Sequence, residues 1–250
     1  MKIQLVALRQ CFVWLGAGWY AFKSNLGAWL ALSIIFLLLL MLLGMLPFVG
    51  IFLIAFIMPF LLTGLLVTAH KSLVGALAQV EDILIGFHDP RFRKPLLVLG
   101  GAMVVGALLL FVSLYPLTGT ILQALYMPQS EANVAETLAA MSEGSPVSLM
   151  LQGGVMLVVL MAFFFATPLV VFENQEPLDA ITTSLLACLK NIIPLVLFAV
   201  AILLLALLGS VAFGLGYLVL IPVLAGASYA SFRDIFDPAD EARPKVPDVA

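Results

Sequence analysis

Charge is what this sequence has least of: Asp, Glu, Lys and Arg make up 10% of its 250 residues, with a net charge of −3. A soluble domain usually carries about a quarter charged residues. No Lys/Arg run reaches the length that holds a nucleic acid, which excludes nucleic acid as a partner. Cysteine is nearly absent, and neither Cys11 nor Cys188 sits in a CxxC or similar ligand spacing. The two histidines, His70 and His88, form no HExxH pattern. No metal and no cofactor are therefore expected. What replaces charge is apolar: 64% of residues are hydrophobic and the mean hydropathy is +1.20. Too little polar surface remains to cover such a chain in water, so its solvent is lipid.

In lipid the backbone must satisfy its own hydrogen bonds, so long apolar runs are helices, and about 20 residues cross the hydrocarbon. Runs at 26–46, 48–69, 95–127, 147–172, 192–208 and 211–230 predict six spans in an all-α polytopic membrane bundle. Residues 1–232 read as one membrane domain, and 233–250 as a short tail. The third run is too long for one straight span, so Pro116 kinks it or Thr118 to Met127 lies along the interface. Pro194 falls in the first turn of the fifth, where a missing N–H costs little.

With six spans, all eleven basic residues fall on one side, and the opposite loops carry only Glu131, Glu136 and Glu143. The bias of basic residues toward the cytoplasm makes that side cytoplasmic, with both termini and both thiols on it. Lys2 and Arg9 precede an apolar run as in a signal peptide. Lys23 interrupts that run and no small-x-small site follows, so 1–24 reads as part of the mature chain.

The connections carry their own signals. Pro47-Phe48-Val49-Gly50 and the stretch Gly209 to Gly216 make tight outer turns, so the spans pair as hairpins. In the longer outer loop, 128–146, Asn133-x-x-Glu136 reads as a capping box. Leu5, Leu8, Phe12, Leu15, Trp19 and Phe22 share one helical face, predicting an amphipathic helix over 1–24 in the membrane interface. Asn25 then reads as the cap of the first span, and Asn191 as that of the fifth.

That grammar repeats. WYAFKSNLGAWLA (19–31) and LLACLKNIIPLVL (185–197) each place an Asn between an interfacial helix and a span. Their hairpins close on Thr63-Gly64-Leu65 and Ala225-Gly226-Ala227, followed by Lys71 or Arg233. Both copies enter from the same side, as parallel repeats do. RFRKPLLVL (91–99) opens a third copy, giving three hairpins.

Few residues could carry chemistry. The six runs contain no Asp, Glu, Lys, Arg or His, which argues against a proton-coupled pump. Their mild polar residues, such as Thr63, Gln123, Gln152 and Ser228, suit helix-to-helix hydrogen bonds. Gly226-Ala227-Ser228-Tyr229-Ala230 matches a Gly-x-Ser-x-Gly nucleophile only in part, and close helix packing explains it as well. Glu173, Glu176 and Asp179 could hold a cation, but a solvated loop and a helix start account for them. His88, with Glu81, Asp82 and Asp89 near it in sequence, reads as interfacial. Arg91, Arg93 and Lys94 form a compact basic cluster beside a span, able to fix topology and to hold an anionic lipid headgroup.

Three stretches resemble a family of uncharacterised bacterial inner-membrane proteins: GWYAFKSN (18–25), GFHDPRFRKPLLVLG (86–100) and FATPLVVFENQEPLDAITTSLLACLKNIIP (165–194). The last resembles a segment of YciC-like proteins and of the membrane domain attached to some glycerophosphodiester phosphodiesterases. It rests on Pro168, Glu173, Ala180, Ser184 and Asn191. The resemblance covers most of the chain. It implies a bacterial cytoplasmic membrane and a six-helix hairpin architecture, and it implies no catalytic residue.

Three functions fit these features. A non-enzymatic membrane component, with membrane lipids, a protein partner or a second copy as its partners, fits the missing embedded charge and the interfacial helices. A transporter or channel for an apolar or amphiphilic compound fits the repeat but lacks a coupling residue. An intramembrane enzyme acting on lipid or peptide bonds needs Ser228, His70 or the Glu173 cluster to converge. The first is the expectation.

Overall fold

The structure, a computed structural model, describes residues 3–47, 49–126, 146–211 and 214–236, with only the backbone path for 114–126 and 146–149. Helix α1 (Gln10–Ser24) leads into the hairpin α2 (Leu26–Gly44) and α3 (Val49–Leu73). A 3-10 turn, Val80–Leu84, and α4 (Ile85–His88) lead into α5 (Pro90–Tyr126) and the stacked pair α6 (Pro146–Phe164) and α7 (Ala166–Glu173). Then α8 (Pro177–Lys190) leads into α9 (Ile192–Val211) and α10 (Tyr217–Phe236). The chain is thus all-α among the described residues, with six helices or helix pairs long and apolar enough to cross a membrane.

Several boundaries differ from the sequence expectation. The third run is one helix that starts at Pro90 and passes through Pro116. Its 37 residues would reach about 55 Å, well beyond a hydrocarbon core of about 30 Å. α3 runs on to Leu73 and α10 to Phe236, so His70, Lys71 and Arg233 ride on the final turns of spanning helices. The capping box at Asn133 and Glu136 and the tail beyond Phe236 lie outside the described residues.

The fourth run is broken at Phe165 for a reason visible in the hydrogen bonds. The Ser184 hydroxyl inserts into one rung of the helix: it accepts from the Phe165 N–H at 2.9 Å and donates to the Met161 carbonyl at 2.7 Å. Pro168, in the next turn, has no N–H to give the Phe164 carbonyl. A side chain in the ladder next to a proline is a recognised cause of a break.

The three leading elements dock in a ring. α1 packs on α10, the 3-10 turn with α4 packs on α3, and α8 packs on α6 and α7. Each therefore lies on the second span of the preceding hairpin, and the first closes onto the third. The docking points correspond. Gly226 lies ten residues before Phe236, Gly64 nine before Leu73, and Phe165 eight before Glu173. At Gly18 a Cβ would stand 2.0 Å from the Val223 carbonyl oxygen, and at Gly64 one would stand 2.5 Å from the Ile83 Cα. The third point uses the Ser184 hydroxyl.

Burial follows the same threefold pattern. In the first spans α2, α5 and α9, 17%, 22% and 17% of the spanning window is buried, whereas in α3, the α6–α7 pair and α10 it is 44%, 50% and 61%. The second spans form the inside and the first spans face outward, with residues such as Leu38, Leu203 and Leu207 exposed. Lipid tails are as apolar as leucine, so close van der Waals contact between small residues, rather than hydrophobic burial, holds such helices together.

α1 differs in part from the expected interfacial helix. It starts at Gln10, and residues 3–7 form no helix. Phe12 and Trp19 of the predicted stripe are exposed, as a lipid-facing side would be, while Phe22 of the same stripe is buried. The opposite side is not solvated: Cys11, Trp14, Ala17, Gly18 and Ala21 are buried. Gln10 Nε2 and Trp14 Nε1 both donate to Asp234 Oδ2, at 2.6 and 2.7 Å.

Gly18→Ala should lower the stability of the detergent-solubilised protein by about 1–3 kcal/mol, the usual range for overpacking. Gly27→Ala meets no atom within 4 Å and should leave it unchanged or slightly higher. Thermal unfolding of the two variants side by side checks this, and equal melting temperatures would discount the backbone contact.

Candidate functional site

Polar groups are expensive in lipid, so where they gather is informative. The eight basic residues that are described lie at one end of the bundle. Arg9 precedes α1 and Lys23 lies in its last turn, Lys71 and Arg233 lie in the last turns of α3 and α10, Arg91, Arg93 and Lys94 among the first five residues of α5, and Lys190 at the end of α8.

The Arg91, Arg93 and Lys94 cluster is exposed there, with Phe92 buried among them. Its members are not equivalent. Asp89, extended just before α5, accepts the Arg91 backbone N–H at 2.9 Å. Its two oxygens also accept Arg91 Nε at 3.1 and 3.0 Å and Nη2 at 2.6 Å. These bonds hold the Asp89 carboxyl below the usual carboxylate range. Arg93 reaches only the Phe87 carbonyl, at 3.4 Å, and Lys94 meets no partner among the described residues. Arg93 and Lys94 are the open cations, while Arg91 is already matched.

The two predicted caps sit at their junctions but do different work. Asn25 occupies the position before α2 without a side-chain cap bond. Its Nδ2 donates to Ser72 Oγ at 3.3 Å, and its Oδ1 lies 3.4 Å from the Ala78 N–H. Ser72 is taken up as well by Trp29 Nε1, at 3.1 Å. The cap expectation for Asn25 is corrected on this point: its amide ties the start of one span to the end of the next. Asn191 is 2% exposed and uses its whole amide. Its Oδ1 accepts the Val6 N–H at 3.0 Å, and its Nδ2 donates to the Gln4 and Ala187 carbonyls at 2.9 and 3.2 Å. It bonds the non-helical segment ahead of α1 at two points, Gln4 and Val6. The Gln4 N–H completes the clasp by bonding the Ile235 carbonyl at 2.9 Å.

Where the three second spans converge, each gives one ring. His70 of α3, Phe172 of α7 and Tyr229 of α10 have centroids 5.2–6.0 Å apart. His70 Nδ1 lies 2.7 Å from the Tyr229 hydroxyl. The possible base His70 therefore engages Tyr229, and Ser228 makes no side-chain hydrogen bond among the described residues. Glu176 is at the N-cap position of α8 without a cap bond, and Asp179 is exposed in its first turn. His88 is exposed at the end of α4. No three metal-ligating side chains come together among the described residues. Burial pushes the Cys188 thiol up to about 12, so it is not a reactive thiolate near neutral pH.

Sequence reasoning did not identify Asp234 and Ser184 as joints. Asp234 could have been suspected as an acidic residue in the last turn of a helix, where the dipole disfavours it.

No family model and no solved structure matches the chain. It is 24% identical over 270 residues to a probable inner membrane protein of Burkholderia thailandensis, covering 100% of this chain and 99% of that one. Together with the six apolar helices, this establishes a multi-pass integral membrane protein.

Asn191→Ala leaves the Val6 N–H and the Gln4 carbonyl without their partners, an effect of about 1–3 kcal/mol. Hydrogen exchange at Val6 should rise by one to two orders of magnitude, while Asn25→Ala, whose Ala78 contact is long, should change exchange there little. An unchanged rate at Val6 would remove the clasp.

Proposed function

We propose that this chain is a non-enzymatic component of the bacterial cytoplasmic membrane. Its basic end faces the cytoplasm and holds anionic lipid headgroups through Arg93 and Lys94, with Arg91 as a partly neutralised third cation. The observation that carries this reading is the pair of exposed cations, Arg93 and Lys94, near the start of a spanning helix. Each juxtamembrane cation adds about 1 kcal/mol of attraction to an anionic leaflet. The cytoplasmic orientation is supported by the gathering of basic residues at that end, and the inner-membrane setting by the name of the Burkholderia protein.

The test is selectivity for spin-labelled phosphatidylglycerol over phosphatidylcholine in reconstituted protein. Replacing Arg91, Arg93 and Lys94 together with Gln should reduce selectivity and its dependence on salt, and Ser228→Ala should do nothing. Arg91→Gln alone should matter less than Arg93→Gln or Lys94→Gln. Asp89→Asn, which releases Arg91, should raise selectivity. Unaltered selectivity in the triple variant sinks the headgroup reading and shifts weight to a protein partner.

A further inference from the structure

The ring of hairpins has one open joint. Each second span should lie beside the first span of the next hairpin. α3 and α5 do so, with a Cβ at Gly100 falling 2.5 Å from the Phe56 carbonyl oxygen, and α10 packs likewise on α2. α6 and α9 meet edge-on through the Phe164 and Phe198 rings, centroids 6.5 Å apart, and over the described residues are otherwise bridged by α8. Between them is a cavity of about 210 Å³. Leu157, Leu160 and Phe164 form one wall, Val196, Ala199 and Ile202 the other. Cys188 and Ile192 close it at the basic end. Its floor is Phe198, 1% exposed and held edge-on by Trp14 at 5.5 Å.

We infer that this groove holds one acyl chain of a phospholipid from the leaflet at the basic end, with the headgroup phosphate beside Lys190. The inference does not rest on the Arg91 cluster. It needs only that α6 and α9 span the membrane.

Three observations argue for this occupant. The lining is almost wholly apolar, and a water molecule needs two to four polar partners to stay in such a space. The groove opens between two spans, so hydrocarbon is the medium that reaches it. From Ile192 to Ile202 the wall runs ten residues, about 15 Å of helix, which equals one leaflet's share of a core about 30 Å thick. Its length therefore suits a chain from one side only. The third is charge: Lys190 is exposed, lies in sequence between Cys188 and Ile192, and has no ion pair among the described residues. The other two joints are filled by protein, and this one is shaped for lipid.

The protein would be reconstituted in dioleoyl phosphatidylglycerol and phosphatidylethanolamine at equal amounts, re-extracted in mild detergent and weighed intact. One retained phospholipid per chain is expected, and it should persist in the variant with Gln at positions 91, 93 and 94. That persistence separates this site from the headgroup cluster. Ala199→Trp and the smaller Ala199→Leu should each lose it. Lys190→Gln should keep a lipid but reduce the preference for phosphatidylglycerol about fivefold, the effect of one cation at an anionic surface.

Without any substitution, phosphatidylglycerol carrying a diazirine in its acyl chain should crosslink to peptides containing Leu160 and Ala199. Crosslinks confined to the outer faces of α2 and α5, a parent that retains no lipid, or a folded position-199 variant that retains as much as the parent would each overturn the inference.

Discussion

The bundle depends on bringing backbones together inside a medium that gives helices little reason to associate. Hydrocarbon solvates leucine as well as another helix does, so attraction must come from close contact and from hydrogen bonds that lipid cannot supply. At two of the three docking points the means is a missing side chain: Gly18 against Val223 and Gly226, and Gly64 against Ile83. At the third it is the Ser184 hydroxyl, which joins α8 to α6 by entering the helix ladder at Phe165. Because the points lie eight to ten residues from the ends of their spans, the three leading elements sit at one depth. The basic end owes its shape to this.

The polar joints elaborate the same plan. Asp234 receives α1 through Gln10 and Trp14, and Lys71 receives the 3-10 turn through Asp82 at 2.7 Å. Asn25 and Asn191 stand at equivalent junctions, each tying the chain between spans to a neighbouring segment. Inside this collar the second spans meet at His70, Phe172 and Tyr229, with the His70–Tyr229 bond satisfying a polar atom from each helix. Where the plan is incomplete, between α6 and α9, the protein leaves a groove lined by hydrocarbon side chains.

Much of the candidate site was legible residue by residue. Arg91, Arg93 and Lys94 are exposed beside a span as their run implied, and Asn25 and Asn191 occupy the junctions assigned to them. The partners were not legible. Nothing local shows that Asp89 engages Arg91, or that the Asn191 amide faces Gln4 and Val6 rather than its own first turn. The apolar stripe of α1 was also informative in an incomplete way. In water such a stripe marks the buried side, whereas here Phe12 and Trp19 of the stripe face outward, Phe22 is buried, and Trp14, Ala17, Gly18 and Ala21 on the other side make the contact. Pro168 and Ser184 make the break in the fourth run, Ala180 is fully buried in α8, and Asn191 forms the clasp.

By itself the sequence determined the number of spans, their pairing as hairpins and the gathering of basic residues at one end. Hydropathy and charge are sums over neighbouring residues, and each residue contributes to them wherever its helix packs. Only the tertiary structure decided which leading element docks on which span, that the ring closes from α1 to α10, and that it stays open between α6 and α9. Those choices turn on contacts between residues far apart in the chain, such as Gly18 with Gly226, where a single Cβ would fill the space that one backbone needs to reach another.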